Sequence, residues 1–450
     1  MTKKFDVIAI GTGTAASAVA HRCRAAGWQV AVVDSRPFGG TCALRGCDPK
    51  KVLVGAAEAV DWARRMKGNG IRAEELLIDW SELMRFKRTF TEPVPKNSEA
   101  EFSKAGIATF HGRARFVGRS TIQVGEESLE GRYVVISAGR KPANLKIPGV
   151  EHLTTSEQLL ELDRLPRRIL FIGGGYIAFE FAHVAVRVGS QVTIVHRGGR
   201  PLSQFDPDLV DQIVAKSREL GIDVQLETQA QGVEKDSGRL VVQASTSGQP
   251  KTFEADMVVH AAGRVPEIDD LNLDVAGVER DERGVRVNEF LQSVSNQAVY
   301  AAGDAASSGG PPLTPVAGYE GTIVAANLLK GNQQKPNYVG IPTVVFTIPP
   351  LASAGLSERE ARERGLKYRV KNETTATWYS SRRVAERYSG YKVLVEEGTD
   401  RILGAHLLGD QAAETINLFA VAIRSGMRAT DLKHMVFSYP THSSDVPYML

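Results

Sequence analysis

The clearest pattern of apolar and polar positions in the chain is a motif that occurs twice. A short apolar run, residues 5–10, is followed by a glycine-rich turn, a helical pattern and a second apolar run over residues 29–34. The same order returns from residue 168, with a helical pattern that ends at Val188 and an apolar run over 191–195. Apolar runs that alternate with helical patterns predict parallel strands joined by crossover helices. We therefore expect an α/β protein that contains this strand–helix–strand motif twice.

The turn between the first strand and the helix is rich in glycine in both motifs. The first motif has Gly11, Gly13, Thr14 and Ala15 at this turn, and the second has Gly173, Gly175, Tyr176 and Ile177. Glycine lets the backbone approach a pyrophosphate closely, and the N-terminus of the following helix favours an anion. Both motifs are therefore predicted to bind dinucleotides in Rossmann-like domains.

The second strands of the two motifs end in opposite charges. Asp34 ends the first, about 20 residues after the glycine turn, where a carboxylate accepts hydrogen bonds from a ribose. The second ends in His196, Arg197 and, after two glycines, Arg200. Guanidinium groups suit a 2′-phosphate, which predicts NADPH rather than NADH at the second motif. The alternative is that residues 196–200 form a basic surface turn.

Two of the three cysteines, Cys42 and Cys47, stand five residues apart in the segment 39–51. A structural disulfide across so small a loop would remove little chain entropy. Zinc sites use four ligands and usually two-residue spacers, so no metal site is predicted. A dithiol that opens and closes during turnover explains the pair better. The third cysteine, Cys23, is expected in the core.

The remaining segments suggest how the chain is divided into domains. Residues 80–102 have a helical pattern, and the endings 137–140 and 261–264 share Ala-Gly-Arg after a strand. Asp304 ends a further buried strand at a glycine, a position suited to a sugar hydroxyl. From Tyr338 strands and helices alternate without a glycine fingerprint, which indicates an α+β assembly domain. The expected domains are a first dinucleotide-binding domain, 1–148 and 265–335; a second one, 149–264; and an assembly domain, 336–450.

Composition excludes several classes of protein. The 450 residues carry 55 basic and 52 acidic side chains, a net charge of +3, without a basic run. This balance argues against a nucleic-acid surface. No signal-peptide pattern and no stretch of 18 apolar residues occurs, so we expect a cytoplasmic protein that does not enter a membrane.

With a dithiol after one nucleotide turn and a second turn in mid-chain, the sequence resembles the class I pyridine nucleotide–disulfide oxidoreductases. This group includes glutathione reductase, dihydrolipoamide dehydrogenase and mercuric reductase. The resemblance covers essentially the whole chain, and its most specific part is the signature Gly40-Thr41-Cys42-x4-Cys47-x-Pro49-Lys50. It implies a homodimer whose active site is shared between subunits.

The resemblance also assigns the cofactor-binding positions. It implies FAD on the first motif and a nicotinamide nucleotide on the second, with Tyr176 covering the flavin until the nicotinamide displaces it. The implied FAD positions are Gly11, Gly13, Thr14, Ala15, Asp34, Gly40, Thr41, Lys50, Ala114, Ala138, Gly139 and Asp304. The implied nicotinamide positions are Gly173, Gly175, Tyr176, Ile177, Arg197, Arg200 and Gly263.

The resemblance implies that electrons pass from the nicotinamide through the flavin to the disulfide. Cys47 stays as a thiolate against the flavin ring, and Cys42 attacks the substrate. Lys50 and Glu180 match a pair near flavin N5, where a lysine favours the reduced, anionic flavin and the carboxylate keeps that lysine charged. The implied function is an FAD-dependent NAD(P)H:disulfide reductase that acts on a small disulfide.

The chain departs from the family pattern where an acid/base histidine is normally found. Tyr439 holds the position of that histidine, and Ser444 holds that of the glutamate that orients it. A phenol, with a pKa of about 10, is a poor base for Cys42 but can donate a proton to a leaving thiolate. His442, with Asp445 behind it, is the other candidate, so Tyr439 and His442 both stay open.

The electron acceptor is open as well. His21 and Thr322 stand where glutathione reductases present arginines, and no cysteine follows Cys47, unlike in mercuric reductases. A low-molecular-weight disulfide other than glutathione is the first expectation. The alternatives are a reductase of quinone, oxygen or metal ions, or a redox sensor without turnover.

Overall fold

The computed structural model describes residues 1–450, and the chain divides into two compact units. The first unit comprises residues 1–50, 85–143 and 264–337, and the second comprises residues 51–84, 144–263 and 338–450. The three expected domains and their boundaries stay a prediction, because a division into two compact units does not test them.

The first unit is built on a seven-stranded sheet. Six of its strands follow the order β3-β2-β1-β6-β5-β4, and the seventh, β19, pairs with β6. The pairs β1·β2, β1·β6, β2·β3 and β6·β19 are parallel, and β5 pairs antiparallel with β4 and β6. The strands are β1 Lys3–Ile10, β2 Val30–Asp34, β3 Ala108–His111, β4 Ala114–Phe116, β5 Thr121–Val124, β6 Glu127–Ile136 and β19 Val299–Ala301. Two small sheets contain β7 Arg140–Pro142 with β16 Arg264–Pro266, and β17 Arg280–Asp281 with β18 Gly284–Arg286 and β20 Ala306–Ser307.

Alternate residues of β1 enter two different cores, which explains why its apolar run is continuous. Ile8 and Ile10 pack on one face, whereas Val7 and Ala9 pack on the other. A strand that is buried on both faces needs apolar residues at every position. The strand ends at Ile10, and the backbone leaves the sheet at Gly11.

The second unit contains three sheets, of which the first is parallel and carries the second nucleotide motif. This sheet has the order β11-β10-β9-β15-β8, with β8 Leu153–Thr155, β9 Arg168–Ile172, β10 Gln191–Val195, β11 Asp223–Gln225 and β15 Met257–His260. An antiparallel sheet follows, with β12 Thr228–Asp236, β13 Arg239–Thr246 and β14 Gln249–Ala255. The third, also antiparallel, has the order β21-β22-β25-β24-β23, with β21 Thr343–Val345, β22 Leu351–Gly355, β23 Tyr368–Thr374, β24 Gly390–Glu396 and β25 Ile402–Leu408.

Fourteen α-helices accompany these sheets. They are α1 Thr14–Ala25, α2 Gly40–Arg45, α3 Cys47–Arg65, α4 Trp80–Thr91, α5 Val94–Lys104, α6 Ser156–Leu159, α7 Tyr176–Val188, α8 Pro207–Glu219, α9 Leu273–Ala276, α10 Thr314–Lys330, α11 Glu358–Glu363, α12 Tyr379–Arg382, α13 Ala412–Ser425 and α14 Ala429–Lys433. Short 3₁₀ turns occur at Val150–His152, Asp269–Leu271, Gly303–Ala305 and His442–Met449. None of the helices has the length and apolar character that crossing a membrane requires.

The segment expected to be helical over 80–102 is two helices. α4 ends at Thr91 and α5 begins at Val94. Pro93 lies between them; it has no N–H to donate and it disfavours helical backbone at the preceding residue. The helical periodicity was correct on both sides, but the proline separates the two helices.

Candidate active site

The two cysteines of the dithiol lie in two different helices. Cys42 lies half-buried in α2, and Cys47 is the first residue of α3. The Sγ of Cys42 donates to Oδ1 of Asp48 at 3.7 Å, and the Sγ of Cys47 lies 3.6 Å from Oγ1 of Thr314. The hydroxyl of Thr314 lies near both sulfurs, and the carboxylate of Asp48 lies against Cys42.

These surroundings make the two sulfurs unequal acids. A hydrogen bond that the Cys42 thiol donates to Cys47 and burial raise the pKa of Cys42, as do the charges of Cys47 and Asp48, and a hydrogen bond from Thr314 offsets this only in part. Cys47 stands at the N-terminus of the 19-residue helix α3, where the helix dipole favours a negative charge. When the pair holds one proton, the proton therefore belongs on Cys42 and the charge on Cys47.

Two residues of this site, Asp48 and Thr314, did not stand out in the sequence. Asp48 is an unremarkable helix-opening acid until the fold brings its carboxylate to Cys42. Thr314 is distant from Cys47 along the chain and arrives with the N-terminus of α10. The available signals were weak: Asp48 directly follows Cys47, and Pro315 marks the start of a helix.

The first glycine turn is packed so closely that side chains are excluded from it. A Cβ at Gly11, where φ is +109°, would lie 2.4 Å from the carbonyl oxygen of Ser137. A Cβ at Gly40 would lie 2.5 Å from Cα of Gly13. Gly13 caps α1 without any side-chain hydrogen bond, so the first N–H groups of this 12-residue helix keep their donors available. This arrangement fits the pyrophosphate of a dinucleotide.

Asp34 has a second task beyond the expected contact with a ribose. Its Oδ2 accepts from the N–H of Thr12 at 3.0 Å and from its hydroxyl at 2.7 Å, and its Oδ1 accepts from the N–H of Arg36 at 3.0 Å. The hydroxyl of Thr12 also accepts from the N–H of Gly39 at 3.2 Å. Asp34 therefore holds the glycine turn and, through Thr12, the start of the dithiol segment.

Deeper in the first unit, polar groups are buried without partners inside the chain. Burial raises the pKa of Asp304, although Arg140 and Arg264 partly offset this effect. The Oγ of Ser137 and the Nε of Arg140 are buried and have no hydrogen-bond partner. Buried polar groups of this kind normally meet a partner, and the hydroxyls and ring atoms of a bound FAD are suitable ones. The residues therefore fit the cofactor.

The other residues expected at FAD occupy the same unit. Thr14 and Ala15 open α1, Ala114 begins β4, and Thr41 lies in α2. Ala138 and Gly139 follow β6, and Gly139 has a positive φ of 72° with open space where a Cβ would point. Lys50 is buried in the first turns of α3, with 9% of its surface exposed.

The second glycine turn has the same geometry as the first. A Cβ at Gly173, where φ is +122°, would lie 2.2 Å from the carbonyl oxygen of Ala261. Gly175 caps the 13-residue helix α7 without a side-chain hydrogen bond. Tyr176, the first residue of α7, is 49% exposed, and Ile177 is partly buried behind it. Gly263 has a positive φ of 113° and open space at its Cβ position.

The basic residues after β10 differ in how strongly they are engaged. Arg200 makes two hydrogen bonds of 3.1 Å to the carboxylate of Asp211, whereas Arg197 is exposed and makes none within the chain. The ring of His196 fills the space beside Gly174, where a Cβ would lie 2.6 Å from its Cγ. Burial and the charge of Arg197 lower the pKa of His196, although a hydrogen bond to Arg200 acts in the opposite direction.

Glu180 is buried in α7, with 1% of its surface exposed, and its Oε1 accepts from the N–H of Phe346 at 2.7 Å. This contact joins the second nucleotide motif to the segment before β22 within the second unit. A buried polar side chain needs a hydrogen-bond partner of this kind.

The two candidates for the acid/base are presented in opposite ways. Tyr439 is 81% exposed, and its hydroxyl has no partner within the chain. His442 begins the final 3₁₀ turn with its ring turned inward, and its Nε2 is buried without a hydrogen bond. Burial lowers the pKa of His442 despite the nearby Asp410 and Asp445. Ser444 forms a capping box with Thr441, so it stabilises this turn locally.

Comparison with known proteins identifies the class. Residues 5–321 match the family model described as pyridine nucleotide-disulphide oxidoreductase, and residues 341–449 match the dimerisation domain of that family. The chain is 32% identical to a mercuric reductase of Staphylococcus aureus over 97% of its own length and 80% of that protein. It is 31% identical to a glutathione reductase of Burkholderia cepacia over 97% of its own length and 96% of that protein.

A solved structure is similar over the whole chain. The Cu(II) complex of the HOCl-induced flavoprotein disulfide reductase RclA from Escherichia coli superimposes with a TM-score of 0.89 at 26% identity, covering 100% of this chain and 99% of that one. The chain belongs to the pyridine nucleotide–disulfide oxidoreductase family. It is an FAD-dependent enzyme, a flavoprotein disulfide reductase, of a family that forms homodimers through the C-terminal domain. The expected family, fold class and general function are thereby confirmed.

Proposed function

We propose that this reductase takes electrons from NADPH and delivers them through Cys42 and Cys47 to a small disulfide. The observation that carries the proposal is the unequal environment of the two sulfurs. Cys47 has a helix N-terminus that favours its thiolate, whereas Cys42 lies against the carboxylate of Asp48. A dithiol with one stable thiolate and one protonated sulfur suits stepwise exchange with a disulfide.

The protein groups around the cofactor support the first half of the reaction. Bound FAD supplies two-electron transfer between a nicotinamide and a disulfide. Gly11, Gly13 and Asp34 would hold its pyrophosphate and ribose, and Asp304 would accept from a hydroxyl of its chain. Lys50 provides a buried positive charge, and Glu180 is the carboxylate assigned to keep that lysine protonated.

The preference for NADPH rests on the end of β10. No acidic residue ends this strand in the sequence, although a carboxylate oxygen of Glu227 lies 3.7 Å from the position of a Cβ at Gly199. Arg197 is exposed and free of ion pairs within the chain. Arg200 is already bound to Asp211 and would have to leave that partner to reach a phosphate. Arg197 is therefore the main 2′-phosphate ligand in this proposal, with Arg200 as a secondary one.

The acid/base function falls to Tyr439 rather than His442. An exposed hydroxyl without a partner is available to a second subunit, whereas the His442 ring is turned into its own chain. In the homodimer, Tyr439 of one subunit would donate a proton to the thiolate that leaves Cys42 of the other. Loss of thiol turnover in Tyr439→Phe, with turnover retained in His442→Ala, is the expected result. The opposite pattern would assign the acid/base to His442.

The direct test of the function is NADPH oxidation with a panel of disulfides, quinones and metal ions as acceptors. With disulfides, Cys42→Ser should lose at least about 10³-fold in turnover, because the attacking nucleophile is gone. Reduction of the flavin by NADPH should remain in this variant. Turnover that survives in Cys42→Ser would show that the dithiol is not in the electron path and would overturn the proposal.

A metal ion is the second candidate acceptor. A relative is named mercuric reductase, and RclA was solved as a Cu(II) complex. No cysteine follows Cys47 in this chain, and the third cysteine is buried. Faster NADPH oxidation with Hg(II) or Cu(II) than with any disulfide would favour this candidate.

A further inference from the structure

One charged contact of the dithiol has no part in the reaction described so far. Oδ1 of Asp48 lies 3.7 Å from Sγ of Cys42, and Asp48 is exposed on the first turn of α3. A carboxylate therefore stands beside the sulfur that attacks the substrate in the proposed function. Any disulfide that reaches Cys42 brings its own substituents close to this negative charge.

The basic residues near the dithiol in sequence do not cancel that charge. Lys50 is buried, and Lys51 is bound to Glu58 at 2.9 Å and lies over the ring of Phe346. The carboxylate of Asp48 therefore lies against the Sγ of Cys42, on the exposed first turn of α3.

We propose that Asp48 determines substrate specificity at Cys42 by favouring disulfides that carry a positive charge next to the sulfur–sulfur bond. An ammonium group two carbon atoms from a disulfide sulfur comes within a few ångströms of the carboxylate. Two unit charges about 4 Å apart change a rate constant by about fivefold even at the dielectric constant of bulk water, and by more where water is partly excluded. An anionic disulfide is disfavoured by a similar factor. This inference rests on the proposed function, because it concerns the acceptor of the same dithiol.

The step that Asp48 influences can be written with its protons and electrons. The reduced enzyme holds Cys42 as a thiol and Cys47 as a thiolate. Cys42 loses its proton and attacks one sulfur of the substrate, the substrate S–S bond breaks, and the first thiolate leaves with one proton. Cys47 then attacks Cys42, the enzyme disulfide closes, and the second thiolate leaves and takes a proton from solvent. Two electrons have passed from the dithiol to the substrate.

The first test compares three disulfides that differ mainly in charge: cystamine, which is dicationic; 2-hydroxyethyl disulfide, which is neutral; and dithiodiglycolate, which is dianionic. For the natural enzyme we expect kcat/KM to be highest for cystamine, lower for 2-hydroxyethyl disulfide and lowest for dithiodiglycolate. Asp48→Asn should lower the cystamine-to-dithiodiglycolate ratio by about 25-fold, about fivefold from each charge. Asp48→Glu should restore the ratio, and Glu101→Gln, which removes an exposed acid on α5, should leave it unchanged. An unchanged ratio in Asp48→Asn would overturn the proposal.

Ratios are used because Asp48 also raises the pKa of Cys42, and its removal therefore changes the reactivity towards every substrate together. A second test separates this proposal from the proposed function. In the Cys47→Ser background Cys42 is the one accessible thiol, because Cys23 is buried. The rate of alkylation by iodoacetate relative to iodoacetamide should rise about fivefold when Asp48→Asn is added.

Alkylation needs neither flavin nor NADPH. If no disulfide is reduced by the natural enzyme, the proposed function fails, and the alkylation ratio alone decides whether Asp48 selects charge at Cys42. An alkylation ratio that Asp48→Asn leaves unchanged would overturn the inference even in an active enzyme. Rescue by Asp48→Glu excludes a merely structural effect of the substitution.

Discussion

The two nucleotide motifs share one backbone design and differ where a ribose would be recognised. In both, the first glycine of the turn has a positive φ, +109° at Gly11 and +122° at Gly173. In both, a Cβ at that glycine would clash with the carbonyl oxygen of the residue that follows the neighbouring parallel strand. That residue is Ser137 in the first motif and Ala261 in the second. The turn is therefore dictated by the sheet beside it, whichever nucleotide is bound.

The ends of the second strands show the contrast. In the first motif the carboxylate of Asp34 is fixed against the turn, because it accepts hydrogen bonds from Thr12 and Arg36. In the second, the space beside the turn is filled by the ring of His196, and Arg197 is exposed. The first motif thus has a rigid acceptor, which suits a resident cofactor. The second has an exposed, unpaired cation on the surface, which suits a substrate that binds and leaves in each turnover.

The largest expected effect comes from the shared glycine. Gly11→Ala should lower the flavin content per chain at least about tenfold, because the Cβ must displace the backbone at Ser137. Gly173→Ala should keep its flavin and instead raise KM for the nicotinamide nucleotide by at least about tenfold. Flavin absorbance and steady-state kinetics measure the two outcomes.

Matched controls exist for both substitutions. Gly27 and Gly189 also have positive φ, +89° and +112°, but nothing lies within 4 Å of a Cβ placed there. Alanine at these positions pays only the strain of the backbone, about 1 kcal/mol. If Gly27→Ala lost as much flavin as Gly11→Ala, the close contact with Ser137 would not be the cause.

These turns were also the part of the molecule that was easiest to predict from the sequence. Spacing, strand pattern and glycine positions are local, so both motifs, the end of α7 at Val188 and the helix over 412–425 could be predicted directly. The dithiol signature is local as well. The break between α4 and α5 at Pro93 was missed because the apolar periodicity continues across it.

What could not be predicted depends on approach between distant segments. Thr314 reaches Cys47 only because the first unit brings the start of α10 to the start of α3. The engagement of Arg200 by Asp211 depends on how α8 packs after β10. Tyr439 is exposed and the Nε2 of His442 is buried, although the two residues are only three positions apart. Spacing in the sequence does not encode such contacts.

The second expected difference between the motifs is sensitivity to acid. His183 in α7 is fully buried; its Nδ1 accepts from the N–H of Ile348, and its Nε2 lies 2.9 Å from the Oγ of Ser217. Burial, with Arg187 and Lys216 nearby, lowers the pKa of His183 well below its usual value. The unfolded state therefore takes up a proton first. The contribution of His183 to the free energy of unfolding is complete above about pH 6.5. Each pH unit below that lowers the free energy of unfolding by up to about 1.4 kcal/mol.

The measurement is the unfolding midpoint between pH 7.5 and 5.5. His183→Gln should flatten this dependence at the cost of a lower midpoint at pH 7.5. The histidine of the first motif's helix, His21, is only half-buried against Phe102, so His21→Gln serves as the control. An equally steep profile in His183→Gln would place the acid sensitivity elsewhere.

The third prediction tests the cation at the end of β10. Arg197→Ala should raise KM for NADPH about tenfold and leave KM for NADH nearly unchanged, because only NADPH has the 2′-phosphate that an exposed guanidinium would bind. Steady-state kinetics with both coenzymes measure the effect. Equal changes for the two coenzymes would mean that residues 196–200 are a basic surface turn and that the two motifs differ less than their sequences suggest.

The smallest expected effect separates Arg200 from Arg197. Arg200→Ala should raise KM for NADPH only about twofold, because its guanidinium is held by Asp211 and contributes little to a phosphate unless that pair opens. Asp211→Asn weakens the pair, so it should lower KM for NADPH slightly, and adding Arg200→Ala should cancel this gain. If Arg200→Ala raised KM for NADPH tenfold and Asp211→Asn left it unchanged, the ion pair with Asp211 would not restrain Arg200. The second motif would then recognise its nucleotide with two free cations where the first uses one fixed acid.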